Sequence, residues 1–200
     1  MEINRYIEKY RNNRYNFFKW RYETTYINKI ILSLGFAFLT AILAQFKFYL
    51  PGNFLVPITA QTFAVLLAGI ILGKWGGVSQ CIYLGFGMMG LPFFANFTGS
   101  TIGYLVGFIL AAFFIGYVSE KYVNYRNIKG IFLLMLFSTF VLIYIPGLIY
   151  LYFFMGSIGI SVGIIEILSI AVLPFIVGDI IKIIGAVLLS RLIIPKRSYI

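Results

Sequence analysis

From Ile30 onward the chain is a succession of long apolar stretches separated by short polar breaks. No Asp, Glu, Lys or Arg occurs between Trp75 and Ser119, and none between Gly130 and Ile165. A helix needs about 20 apolar residues to cross a bilayer, so the chain has room for about five to seven crossings. The breaks predict six, over residues 30–45, 59–73, 76–89, 103–118, 131–155 and 174–191. Residues 47–57 read as a loop, with Pro51-Gly52-Asn53 as its turn. Gly90-Leu91-Pro92 ends the third span and leads into the polar run 96–101. Pro146-Gly147 predicts a kink in the fifth span, which neighbouring helices can tolerate. Residues 161–173 read as a short interfacial helix carrying Glu166, and Pro174 suits the first turn of the last span.

Composition agrees with an all-α integral membrane protein. The chain has 200 residues, 61% of them hydrophobic, and a mean hydropathy of +0.95. Soluble domains are about 45–50% apolar. The net charge is +10, and its distribution is lopsided. One side of a six-span arrangement carries the N-terminal segment, Lys74, Lys121, Arg126, Lys129, Arg191, Lys196 and Arg197, while the other holds only Lys47. The positive-inside rule therefore places both termini in the cytoplasm. The chain divides into a basic and aromatic segment 1–29, a membrane domain 30–193 and a basic tail 194–200.

The first 29 residues carry seven basic and three acidic side chains among aromatics. Two readings stay open for them: a helix lying on the inner membrane surface, in contact with anionic lipid, and a solvated tail. Interleaved basic and aromatic residues also suit RNA, but attachment to a membrane domain argues against a nucleic-acid partner. Histidine is absent and cysteine occurs once, as Cys81. That excludes an internal disulfide and a zinc cluster, and leaves Cys81 as a small packing residue. The sequence has no P-loop, so the chain does not itself hydrolyse ATP in that way. No nucleophile and base stand at catalytic spacing, so an enzyme is not expected.

The most informative charges are Asp179 and Lys182, inside the last apolar stretch. Ionised groups at membrane depth cost several kcal/mol unless paired or bound, and mark functional sites. Spaced i, i+3 they share a helix face. Both a structural ion pair and a ligand site satisfy that pattern. Thr59, Gln61 and Thr62 sit at the start of the second span, on the same side as Asp179. They suit capping and interhelical hydrogen bonds as well as binding. Ser33, Ala37 and Ala41 recur every four residues and make a smooth face for a close-packed helix.

Four ordered motifs carry a resemblance. They are the run from Val56-Pro57-Ile58-Thr59-Ala60-Gln61-Thr62 to Gly69, the stretch from Tyr83-Leu84-Gly85 to Ala95, Gly103-Tyr104-Leu105-Val106-Gly107-Phe108, and Pro174 to Lys182. Together they resemble BioY, the substrate-binding S component of energy-coupling factor transporters for biotin, over about residues 32–192. The resemblance implies a six-helix S-component fold in the cytoplasmic membrane and high-affinity biotin capture from outside. It also implies a complex with a transmembrane coupling subunit and two cytosolic ATPase subunits, and no cofactor. It assigns Asp179 and Lys182 to biotin, with Asn96, Thr59, Gln61 and Tyr104 in matching loop and helix-end motifs. Phe93, Tyr104 and Tyr150 are candidate walls for the ring. Ala37 and Ala41 match the first-helix motif through which S components dock on the coupling subunit. An S component for riboflavin or thiamine, and a membrane protein that only packs with partners, are the alternatives.

Overall fold

The computed structural model describes residues 2–50, 53–95 and 99–200. Among the described residues, nine α-helices and one hairpin follow in order: α1 Glu2–Glu23, α2 Tyr26–Gln45, β1 Lys47–Leu50, β2 Asn53–Thr59, α3 Gln61–Leu72, α4 Trp75–Met88, α5 Ile102–Lys121, α6 Ile128–Phe137, α7 Tyr144–Ser157, α8 Ile164–Ala171 and α9 Ile176–Ile193. Helix α6 runs through a wide turn, Ser138–Ile143, directly into α7. A tight turn, Leu173–Phe175, joins α8 to α9. The almost wholly buried α3 lies at the centre, in contact with α2, α4, α5 and α9.

Among the described residues, four helical stretches are long and apolar enough to cross a membrane: Tyr26–Gln45, Ile102–Lys121, Ile128–Ser157 and Ile164–Ile193. The expectation of six transmembrane helices is borne out only in part. With 12 and 14 residues, α3 and α4 reach about 18 and 21 Å, short of the roughly 30 Å hydrocarbon layer. Gly73 stops α3 with φ of 64°, and the chain turns at once into α4. At the other end the expected loop is an antiparallel hairpin, with Phe48 opposite Ile58 and Lys47 opposite Thr59. Phe48, Tyr49, Val56, Ile58 and Thr59 are residue types that favour strands. The expected turn residues Pro51 and Gly52 lie outside the described residues.

In the fifth span the hydrogen-bond ladder changes ahead of Pro146. Proline has no N–H to donate to the carbonyl of Leu142, four residues back. The helix widens just before it, and the Tyr144 N–H donates to Thr139, five residues back. Such wide turns concentrate at functional sites. Gly107 of α5 makes room for this turn: a Cβ there would lie 2.6 Å from both Ile143 Cα and the Leu142 carbonyl oxygen.

Within residues 1–29, α1 is anchored to the membrane domain while most of its surface stays exposed. α1 packs on the membrane domain through Phe18 and Arg21, both buried. Arg21 Nη1 pairs with Glu120 of α5 and donates to the Leu72 carbonyl at 2.9 Å. Its Nη2 donates to the Tyr199 hydroxyl at 3.1 Å. Arg126 grips the tail from below, donating to the carbonyls of Pro195 at 3.3 Å and Arg197 at 2.8 Å. Burial raises the Tyr199 phenol above its ordinary value, while Arg21 and Arg126 pull it down.

The small-residue stripe of α2 faces inward, and the docking role expected for Ala37 and Ala41 needs correcting. Ala37 is 0% and Ala41 2% exposed, because α4 occupies that face. Gln80 of α4 donates to Thr40 at 3.3 Å, and Ser33 donates to the Trp75 carbonyl at 3.2 Å. The exposed stripe of α2 consists of Ile27, Ile31, Phe38 and Ile42 instead. Cys81, expected to pack inside, is exposed on α4.

Candidate functional site

The site is built where the hairpin meets the start of α9. Asp179 lies in the first turn of α9 and is 5% exposed. Its Oδ1 pairs with Lys182 Nζ one turn along. Its Oδ2 accepts the Tyr144 hydroxyl at 2.5 Å. Lys182 also donates to the Thr59 backbone carbonyl at 3.0 Å, tying α9 to the end of β2. The pair is neutral overall, which lowers the cost of burial. A carboxylate has about four lone-pair positions and an ammonium three N–H donors. Among the described residues the chain uses two acceptor positions of Asp179 and two donors of Lys182. Both groups keep capacity for a further partner.

Tyr144 owes its place to the wide turn and to glycines. Its ring stacks on Phe140 with centroids 5.3 Å apart. The Tyr104 ring stands edge-on to it at 6.0 Å, and the Tyr104 hydroxyl donates to the Ala171 carbonyl at 3.2 Å. Gly147 permits this, since a Cβ there would lie 2.5 Å from Tyr104 Cδ1 and Cε1. On the other wall, Gln61 Nε2 donates to the Tyr83 hydroxyl at 2.7 Å, and its Oε1 accepts from the Thr59 hydroxyl at 3.0 Å.

These side chains line a cavity of about 90 Å³ that includes Thr59, Gln61, Tyr104, Tyr144, Asp179 and Lys182. A second cavity of about 400 Å³ shares Pro57, Thr59, Gln61, Thr101 and Leu105, and continues past Tyr83 and Phe94. Small-molecule sites span about 300–1,000 Å³. The inner cavity alone is too small for such a ligand, and the two together are large enough. β2 forms the roof with Val56 and Pro57.

Five of the residues singled out from sequence therefore meet at one place: Thr59, Gln61, Tyr104, Asp179 and Lys182. Asn96 lies outside the described residues. Phe93 lines the outer cavity, whereas Tyr150 stacks on Phe154 at 6.2 Å and lines neither cavity. Sequence reasoning missed Tyr144 and Tyr83. The Gly103-x-x-x-Gly107 spacing on α5 was a usable signal for Tyr144, because small residues four apart announce a close helix contact. Among the described residues no cluster of three or more metal-ligating side chains occurs.

Fold and site together define a multi-pass, all-helical membrane protein with a charged, roofed cavity at one end. The comparisons place it more narrowly. The description of the BioY family matches residues 13–198. The chain is 43% identical over 142 residues to "Probable biotin transporter BioY" of Methanothermobacter thermautotrophicus, covering 66% of this chain and 90% of that protein. It is 36% identical over 143 residues to "Biotin transporter BioY" of Thermotoga maritima, covering 68% and 79%. Its fold matches the crystal structure of the S-component for biotin from an ECF-type ABC transporter, with TM-score 0.70 and 26% identity over 84% of this chain and 93% of that one. The chain belongs to the BioY family.

Proposed function

We infer that this chain takes up biotin as the substrate-binding S component of an energy-coupling factor transporter. It is a transport protein, not an enzyme. The observation that carries the reading is the Asp179–Lys182 pair, held by Tyr144 and the Thr59 carbonyl and set in the cavity wall.

The chemistry of biotin suits that pair. Its ureido ring offers two N–H donors and one carbonyl, and its side chain ends in a carboxylate. Asp179 accepts a ureido N–H through lone pairs that Tyr144 and Lys182 do not use. Lys182 turns its remaining N–H to the ureido carbonyl or to the carboxylate. Charge-assisted bonds in a dry site are about twice as strong as neutral ones. Tyr104 and Tyr144 flank the ring, and Thr59 and Gln61 supply neutral polar contacts.

Six crossings follow if α3 and α4, though short, count alongside α2, α5, α6–α7 and α8–α9. The basic loops and both termini then face the cytoplasm of the cell membrane, and the hairpin roofs a site open to the outside. A transmembrane coupling subunit and two ATPase subunits supply the energy that this chain lacks. The decisive experiment is calorimetric titration of the detergent-purified chain with biotin, riboflavin and thiamine. Saturable binding of biotin alone supports the reading. Binding of another vitamin in its place, or of none, refutes it.

A further inference from the structure

Vitamin capture leaves a second feature unused, at the opposite end of α9. Between α1 and the tail lies a cavity of about 630 Å³ whose wall includes Arg11, Arg14, Arg191, Lys196, Arg197 and Glu8. Five cations face one another there with a single carboxylate among them. Gathering like charges is unfavourable unless an anion answers them.

The wall is organised rather than accidental. Arg14 Nη1 donates to the Leu192 carbonyl at 2.7 Å, and the Tyr10 hydroxyl donates to the same oxygen at 2.6 Å. These bonds satisfy the last turn of α9 and fix α1 beside it. Arg126 holds the carbonyls of Pro195 and Arg197, so the backbone that carries Lys196 and Arg197 is anchored as well. Arg14 Nε is buried and has no hydrogen-bond partner among the described residues. That is a donor the chain itself leaves unmet, beside four other cations.

Guanidinium groups match phosphate oxygens in fork geometry. Basic pockets between helices at the end of a membrane domain are suited to phosphate headgroups. We propose that this cavity is a binding site for a phosphate-bearing anion, presented either as the headgroup of an anionic phospholipid or free in solution.

The test uses the full chain in detergent. One arm adds phosphatidylglycerol or phosphatidylcholine and counts retained lipid by native mass spectrometry. The other titrates inorganic pyrophosphate by calorimetry. The triple variant R11Q/K196Q/R197Q removes three cations of the wall. The triple variant R5Q/K9Q/K19Q removes three cations of α1 that lie outside it. At a factor of about five per cation, the wall variant loses about 100-fold in affinity, while the control stays within about twofold of the parent. Selective retention of phosphatidylglycerol identifies a headgroup site, and pyrophosphate binding identifies a soluble anion. Equal losses in both variants overturn the proposal, as does no phosphate ligand binding the parent more tightly than the wall variant. Biotin binding, measured on the same samples, reports the integrity of the fold. If the triple variant does not purify, Arg11→Gln carries the test. Arg11 makes no hydrogen bond among the described residues, and its loss weakens binding about fivefold; no change there is equally fatal to the site.

Discussion

Tyr144 and Asp179 stand 35 residues apart in the chain and are joined by a hydrogen bond of 2.5 Å. The bond links the wide turn before Pro146 to the first turn of α9. It also holds one carboxylate oxygen in place while Lys182 holds the other.

Tyr144→Phe keeps the ring on Phe140 and removes only this bond. A buried acceptor left unmet costs about 1–3 kcal/mol. Thermal unfolding of the detergent-solubilised variant should show that loss. Biotin should dissociate about 5- to 150-fold more readily, because the carboxylate is no longer aligned. An unchanged melting point together with unchanged affinity would show that the phenol does not position Asp179.

Thr59 contributes a carbonyl to Lys182 and a hydroxyl to Gln61. Thr59→Ala preserves the first contact and deletes the second. A neutral hydrogen bond is worth about 1 kcal/mol, so biotin affinity should fall by less than about tenfold. Lys182→Met, in contrast, strands the buried Asp179 charge and should cost far more. Titrating the two variants side by side checks the order, and a larger loss in Thr59→Ala would reverse the assignment.

Gly107→Ala drives a Cβ against backbone atoms of Leu142 and Ile143. Overpacking of this kind costs about 1–3 kcal/mol, and here it also displaces the turn that carries Tyr144. Stability and biotin affinity should fall together. Gly85→Ala in α4, where a Cβ meets nothing within 4 Å, should be neutral or slightly stabilising. Melting curves of the pair separate a specific helix contact from a general intolerance of larger residues.

Arg21 and Glu120 form a buried ion pair at the far end. Removing one partner of such a pair costs about 3–5 kcal/mol. Arg21→Gln should therefore release α1 and expose its many Lys and Arg residues to trypsin, while biotin binding stays close to that of the parent. Replacing both partners, R21M/E120L, should recover much of the loss. Trypsin cleavage no faster than in the parent would mean that α1 is held by other contacts.

Much of the site was legible in the sequence because its carriers are rare where they stand. An Asp and a Lys three apart in an apolar run have few benign explanations, and Thr59, Gln61 and Tyr104 sat in ordered motifs around them. Tyr144 was not legible, since a tyrosine in an apolar span has no charge to draw attention and its partner lies in another helix. The anchoring of α1 was hidden for a similar reason: Arg21 finds Glu120 across 99 residues. Spacing alone predicted that Ala37 and Ala41 would meet a helix, but it does not say which one, and α4 of the same chain takes the place. The hairpin was obscured by Pro57, which weakens a strand reading although an edge strand accepts it.

Equilibrium titration of biotin against Asp179→Asn and Lys182→Gln addresses the ligand role of the pair most directly. Asp179→Asn removes charge and keeps side-chain shape, and Lys182→Gln removes charge from a slightly shorter polar side chain. Charged hydrogen bonds are worth about 1.5–3 kcal/mol each, so each variant should bind biotin about 10- to 150-fold more weakly than the parent while remaining folded. Parent-like affinity in both variants would contradict a role for Asp179 and Lys182 in holding biotin and leave them a structural ion pair.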